Sequence, residues 1–317
     1  MFRTMVHEMI AFLFPGQGSQ KVGMGKDLAE SFPIARAVFD EADVAFGGPL
    51  TRLCFEGPDD QLMLTENTQP AILTMSTAAC RVLASLGIEP AFVAGHSLGE
   101  YSANVAAGTM AFADAVPLVR RRGRYMQEAV PVGEGAMAAI LGLAPELVQQ
   151  ACDEAAEGQV VSPANINAPG QVVIAGATAA VKRASERARA LGAKRAIPLS
   201  VSAPFHCAMM KPAEARLAPE LRALAVRDPR VPVVANVDAQ PKREAAAAIE
   251  ALVRQVSAPV QWESVIRRLA SDGVTTYVEV GPGRVLSGMV QKIHADARVF
   301  SFAASGDLAP IEAALRA

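Results

Sequence analysis

Cysteine is scarce in this sequence: four in 317 residues (Cys54, Cys80, Cys152, Cys207), with no C-x-x-C pair among them. A disulfide framework or a thiolate metal site is therefore not expected, and reduced thiols in a cytoplasm are the plain expectation. An excess of either charge is also missing. Thirty Lys and Arg against 32 Asp and Glu leave a formal charge of −2, which argues against an electrostatic nucleic-acid binder. No apolar run approaches the roughly 20 residues of a membrane span. The opening MFRTMVHEMIAFLF carries one Arg and an apolar run too short for a signal-peptide core; it reads as a loose tail holding His7, then a strand from Ile10 to Phe14. Internal repeats and low-complexity tracts are absent. Histidine is rare too, at four residues, which narrows any search for a catalytic base.

What is present suits a globular enzyme: 51% hydrophobic and 20% charged residues over a length that can bury a large core. The chain is organised around AFVAGHSLGEYSANVAAG, residues 91–108. A short apolar strand runs into Gly95-His96-Ser97-Leu98-Gly99, and a small-residue helix follows. G-x-S-x-G between strand and helix is the nucleophile-elbow pattern. Side chains at 95 and 99 would collide with the strand or the helix of so sharp a turn. The turn exposes the Ser97 hydroxyl at the strand's carboxyl end and aims the Leu98 amide, at a helix N-terminus, toward an oxyanion.

The first strand ends in Pro15-Gly16-Gln17-Gly18-Ser19-Gln20, a loop whose backbone can approach a ligand closely but which lacks the spacing of a phosphate or dinucleotide loop. Helical spacing runs from Asp27 to Phe46 with a break at Pro33, and from Thr68 to Leu86 with Pro70 in the first turn. The next helix, FADAVPLVRRRGRYMQEAV, crowds arginines at 120, 121, 122 and 124; they cannot share one face, so most are expected in solvent. Between Gly135 and Val201 the order is β-α-β-β-α-β, a ferredoxin-like unit inserted before the chain returns to a main sheet. After it, a strand over Val231–Val237, helices over Glu244–Val256 and Trp262–Ala270, a strand over Val274–Val280 and a last strand over Val299–Phe302 are expected. Strands alternating with helices predict an α/β fold with a mostly parallel sheet. The expected division is 9–130 with 200–317 as the main domain and 131–199 as the small subdomain.

A serine needs a base. His96 sits on the turn beside Ser97 and should point away from it. An α/β-hydrolase chain order would choose His294, with Asp238 or Asp272 as its acid, but His294 ends an ordinary amphipathic segment. His206 follows Pro204-Phe205 at the carboxyl end of an apolar strand, where active-site residues collect, and is the favoured base.

FPGQGSQ, GHSLGEYSA, RGRYMQEAV, NINAPGQVV, FHCAMMKPA, LVRQVSAPVQW and VEVGPGRVLSG, in order from about Phe12 to Ile293, together resemble the malonyl-CoA:acyl carrier protein transacylases of bacterial fatty-acid synthesis, relatives of polyketide synthase acyltransferases. The resemblance implies an α/β-hydrolase-like core with a ferredoxin-like insertion. It implies transfer of malonyl from malonyl-CoA to the phosphopantetheine thiol of acyl carrier protein through a malonyl-serine, with no cofactor or metal. Ser97 would be the nucleophile and His206 the base, held by the backbone carbonyl of Gln255. The amides of Gln17 and Leu98 would form the oxyanion hole, and Arg122 would bind the substrate carboxylate. A fork of guanidinium donors suits a carboxylate, and an acetyl group would leave that buried charge unpaired at a cost of about a few kcal/mol. Phe205 with His206 resembles the Phe-His pair that goes with malonyl selectivity in the polyketide relatives, and would border the acyl pocket. Asn165 and Asn167 line the cleft or form a turn. Lys182, Arg183, Arg187 and Lys211 are candidates for docking an acidic carrier protein. No membrane or nucleic-acid partner is expected, and monomer is the default. A serine hydrolase, a non-catalytic carrier-binding module and a polyketide acyltransferase are the competing readings.

Overall fold

Six strands share one sheet in the computed structural model, which describes residues 9–201 and 203–316. The tail with His7 lies outside the described residues. The strands of the chain are β1 (Met9–Phe14), β2 (Phe92–Gly95), β3 (Gly135–Leu141), β4 (Val161–Ala168), β5 (Gln171–Ala177), β6 (Arg195–Pro198), β7 (Val233–Val234), β8 (Pro241–Lys242), β9 (Val274–Val280) and β10 (Arg298–Phe302). The main sheet runs β10-β9-β1-β2-β7-β8, parallel except for β8. β1 shows why it is central. Phe12 and Phe14 enter one hydrophobic layer with the helices Pro33–Phe46 and Thr65–Ser85, while Ala11 and Leu13 enter the opposite layer with Trp262 and Tyr277. A strand buried on both faces reads as an uninterrupted apolar run, and β1 does.

The second sheet, β4-β5-β3-β6, is antiparallel. The helices Pro145–Ala155 and Thr178–Ala190 cover one face. Its other face carries Met137, Ala164, Val173 and Ala175, which pack with Cys207 and Phe205 of the main body. A parallel bridge ties β4 to the segment before Trp262 in the main body, with Ile166 N donating to Val260 O and Val260 N donating to Ala164 O, both at 2.9 Å.

The α/β-hydrolase-like core with a ferredoxin-like insertion is therefore present, with local departures from the sequence reading. The long helix begins at Thr65, so Pro70 lies beyond its first turn; Leu64 already accepts from Asn67 and Thr68. The expected strand over 231–237 shrinks to Val233–Val234, because the backbone of Asn236 leaves the ladder: its N donates to Glu100 Oε2 at 3.0 Å and its carbonyl accepts from Gln261 N at 2.9 Å. Short helices at Leu50–Glu56 and Asp59–Leu62 carried no periodicity long enough to read.

Candidate active site

Ser97 sits at φ 52° and ψ −107°, a backbone conformation that L residues rarely adopt, between β2 and the helix Leu98–Ala106. The flanking glycines are sterically required. A Cβ on Gly95 would lie 2.0 Å from the Gly99 carbonyl carbon, and one on Gly99 would lie 1.9 Å from Phe14 O. Asn236 holds the strained turn from beneath: its Oδ1 accepts from Ser97 N at 2.8 Å and its Nδ2 donates to Gly95 O at 2.7 Å.

The serine hydroxyl lies 2.7 Å from His206 Nε2, and His206 Nδ1 lies 2.9 Å from the backbone carbonyl of Gln255. A carbonyl can only accept, so Nδ1 carries the proton and Nε2 presents its lone pair to Ser97. Burial, then the nearby Arg122 charge, pushes the His206 pKa down to about 3. The imidazole is thus neutral and free to take a proton. His206 also has φ 59°, so both partners are held in strained backbone.

Arg122 is 1% exposed on the helix Phe112–Glu128. It shares the face of Ala115, Val119 and Met126, at three- and four-residue spacing, whereas Arg121 and Arg124 pair with acids toward solvent. That spacing was a legible signal for which of the four arginines turns inward. Its Nη1 donates to Gln69 Oε1 at 2.9 Å, and its Nη2 to Gln255 Oε1 at 2.9 Å and to Ser97 Oγ at 3.2 Å. Among the described residues it makes no ion pair, and its Nε has no hydrogen-bond partner. Burial lowers its pKa, but a guanidinium keeps its proton.

A cavity of about 150 Å³ opens over these groups, lined by Gln17, Leu98, Met126, Met137 and Phe205 among others. Leu98 is the first residue of its helix, so its N–H has no intrahelical acceptor. The Gln17 side chain, on the loop that borders the cavity, donates from Nε2 to Thr65 Oγ1 at 3.3 Å. Phe205 is half-buried in the wall. Gln69, Glu100 and Asn236 belong to the site and escaped the sequence reading. Only Glu100 left a trace, as the single carboxylate in an otherwise small and apolar helix.

The hydrolase alternative loses its geometry here. His294 is half-buried, with Nδ1 3.1 Å from the Tyr277 hydroxyl. Asp238 pairs with Lys242 and Asp272 with Arg268. His96 turns to Asn167 Oδ1 at 2.9 Å and meets the Trp262 ring edge-on, away from Ser97 as expected. Asn165 and Asn167 are buried in β4 rather than in the turn after it, and Asn165 lines the cavity. Arg183 and Arg187 lie on the helix covering the small sheet's outer face. Arg183 is spent on the carbonyls of Ala155 and Ala156, and Arg187 pairs with Glu154. Lys211 pairs with Glu214, and Lys182 is exposed on the same outer helix. Among the described residues no cluster of His, Cys, Asp and Glu could hold a metal ion, and no helix is long and apolar enough to cross a membrane.

A serine on a strained elbow, in hydrogen-bond contact with a neutral histidine, can accept and pass on an acyl group. Fold and site together define an acyl-transfer enzyme. The model of the acyl transferase domain family matches residues 11–310, and the chain belongs to that family. Among its relatives, the malonyl CoA-acyl carrier protein transacylase of Bacillus subtilis (strain 168) is 53% identical over 286 residues, 90% of each chain. The Escherichia coli (strain K12) protein of the same name is 55% identical over 284 residues, 89% of this chain and 92% of the relative. The crystal structure of an acyl carrier protein S-malonyltransferase from Vibrio cholerae superposes with a TM-score of 0.94 at 46% identity, covering 96% of this chain and all of the other. A malonyl-transacylase solved in complex with its type II polyketide-synthase acyl-carrier protein gives 0.93 at 47% identity, covering 95% of this chain and 98% of that one.

Proposed function

We propose that the protein moves a malonyl group from malonyl-CoA to the phosphopantetheine thiol of an acyl carrier protein, in fatty-acid synthesis, through an ester on Ser97. The observation that carries this reading is Arg122: a buried guanidinium with no ion-pair partner among the described residues, reaching to 3.2 Å from the serine hydroxyl. A buried guanidinium with no carboxylate in direct contact is costly, and a carboxylate arriving on the acyl group would pair with it bidentately. The relatives named above support the substrate and the acceptor.

In the first half-reaction His206 Nε2 takes the Ser97 proton as the oxygen attacks the thioester carbonyl. The amides of Leu98 and Gln17 receive the oxyanion. The C–S bond breaks, and His206 returns the proton to the CoA sulfur. In the second, the carrier thiol gives its proton to His206, its sulfur attacks the malonyl ester, and the released Ser97 oxygen takes the proton back. Gln255 O holds the Nδ1 proton throughout. Imidazolium formation is assisted by the substrate itself, because its carboxylate neutralises part of the Arg122 charge that otherwise disfavours a cation on His206. Phe205 would narrow the acyl pocket. Residues 9–130 with 200–317 would act as the catalytic domain and 131–199 as its ferredoxin-like small subdomain, in a cytoplasmic monomer without cofactor.

Intact-mass analysis after brief mixing with malonyl-CoA tests this. The expected result is a malonyl adduct on Ser97 that clears onto a pantetheinylated carrier protein, with little adduct from acetyl-CoA. An adduct that disappears equally fast without carrier protein would make water the acceptor and overturn the transfer.

A further inference from the structure

Gln255 has a second role beyond its backbone carbonyl, because its side chain touches two buried charges. Oε1 accepts from Arg122 Nη2 at 2.9 Å, while Nε2 donates to Glu100 Oε2 at 2.7 Å and to the Ser97 carbonyl at 2.8 Å. A guanidinium on one side and a carboxylate on the other permit only this orientation of the amide. Glu100 is fully buried; its Oε2 also accepts from Asn236 N at 3.0 Å, and its Oε1 has no hydrogen-bond partner. Neither Arg122 nor Glu100 makes a direct ion pair among the described residues. The two opposite charges are thus joined through one amide, which also rests on the backbone of the candidate nucleophile.

We propose that Glu100 is a positioning residue that sets the strength of the carboxylate clamp: acting through the Gln255 amide, its charge compensates Arg122 in the empty pocket and weakens the grip of Arg122 on an incoming acyl carboxylate. This rests on the reading of Arg122 given above. A malonyl group has to be selected by its carboxylate and then leave with it on the carrier thiol. A lone guanidinium in a dry pocket favours the first and hinders the second. A carboxylate one amide away moderates the hold without occupying the site that the substrate needs.

Glu100→Gln keeps the size of the side chain and an oxygen for Gln255 Nε2 and Asn236 N, and removes the charge. The comparison is made at about pH 8.5, above the value of about 7 to which burial raises the Glu100 carboxyl, so that the wild-type side chain is ionised. Free malonate should then inhibit the variant about tenfold more tightly, and KM for malonyl-CoA should fall by a similar factor, with a lower kcat as release slows. The weak reaction with acetyl-CoA should change little. Unchanged malonate inhibition, or malonyl and acetyl activities falling together as from a damaged elbow, would overturn the proposal. So would tightening that persists in the Arg122→Ala, Glu100→Gln double variant. If the wild-type protein forms no malonyl adduct on Ser97, the underlying reading has failed and the proposal with it, a result obtained before any variant is made.

Should Glu100→Gln not fold, the wild-type protein carries the test alone. Malonate inhibition should tighten as the pH falls from about 8.5 to about 6.5 and Glu100 takes up its proton. Tyr101, pushed up to about 12, His206, held at about 3, His96, lowered by burial, and Arg122, which keeps its charge, do not titrate in its place. Asp238, which also faces it, is in an ion pair with Lys242. Inhibition that stays flat over that range would overturn the proposal.

Discussion

Ser97 and His206 share an unusual property: both are non-glycine residues at positive φ, 52° and 59°, facing each other across 2.7 Å. Such strain persists only where surrounding contacts over-determine it, and here those contacts are Asn236 beneath the serine and the Gln255 carbonyl behind the histidine. Because burial keeps His206 neutral far below the ordinary histidine range, kcat/KM for malonyl-CoA should not fall between about pH 7 and pH 5; a decline centred near the usual histidine value would contradict the burial argument. The stability consequence has a definite sign. Between 6.5 and about 3 the unfolded chain binds a proton that the folded His206 does not, so acidification favours unfolding. The melting temperature of the wild-type protein should therefore drop more steeply from about pH 6.5 to pH 4.5 than that of His206→Gln. Replacing Arg122 with Ala should cut kcat/KM for malonyl-CoA by about a hundredfold or more and leave acetyl-CoA far less affected, read from steady-state kinetics with both donors.

At this scale the sequence was legible where chemistry demands a type at a spacing. Ser97, the glycines around it and His206 followed from local pattern and from the scarcity of histidine. Gln17, Gln255 and Arg122 came from resemblance. Gln69 and Asn236 did not come at all, because an amide that bonds across the fold at separations of 53 and 139 residues leaves no local periodicity.

Among the elements, the strand-elbow-helix unit is the most tightly specified. Gly95→Ala would place a methyl group 2.0 Å from the Gly99 carbonyl carbon, where only backbone movement can relieve it. We expect a loss of about 3 kcal/mol or more in urea unfolding, together with lost activity. Gly288 is the contrasting case. It lies in the helix Val285–Ile293, exposed, with nothing within 4 Å of an added Cβ, so Gly288→Ala should stabilise the protein by about 0.5–1 kcal/mol and leave activity intact. Helices and strands with sustained periods were readable to within a few residues, as Trp262–Ser271 and Val274–Val280 show. Asn236 explains why Val233–Val234 was overextended: its apolar neighbours continue the strand pattern while its own backbone N turns to the Glu100 carboxylate and its carbonyl to Gln261 N.

For the molecule as a whole, the alternation of strands and helices was enough to predict a parallel sheet, and the β-α-β-β-α-β order enough to predict the inserted unit. What sequence order could not show was which way the small sheet faces. Its apolar inner face closes on Phe205 and Cys207, so the helix bearing Arg187 looks outward. Arg187→Glu should accordingly leave KM for the carrier protein within about twofold of wild type, since an exposed pair such as Arg187–Glu154 contributes little. A large rise in that KM would bring the carrier protein to the outer face instead.

The backbone pairing of Ala164 and Ile166 with Val260 has a consequence for recombination between relatives. A chimaera that imports 131–199 from an acyltransferase of different chain preference receives one side of that pairing without its mate. Two residues beyond Val260, Trp262 supports His96 edge-on at 5.5 Å, so a mismatch there reaches the elbow directly. Crossovers that transplant 257–262 together with the small sheet keep both sides of the seam from one parent, and those are the hybrids that should inherit a working serine.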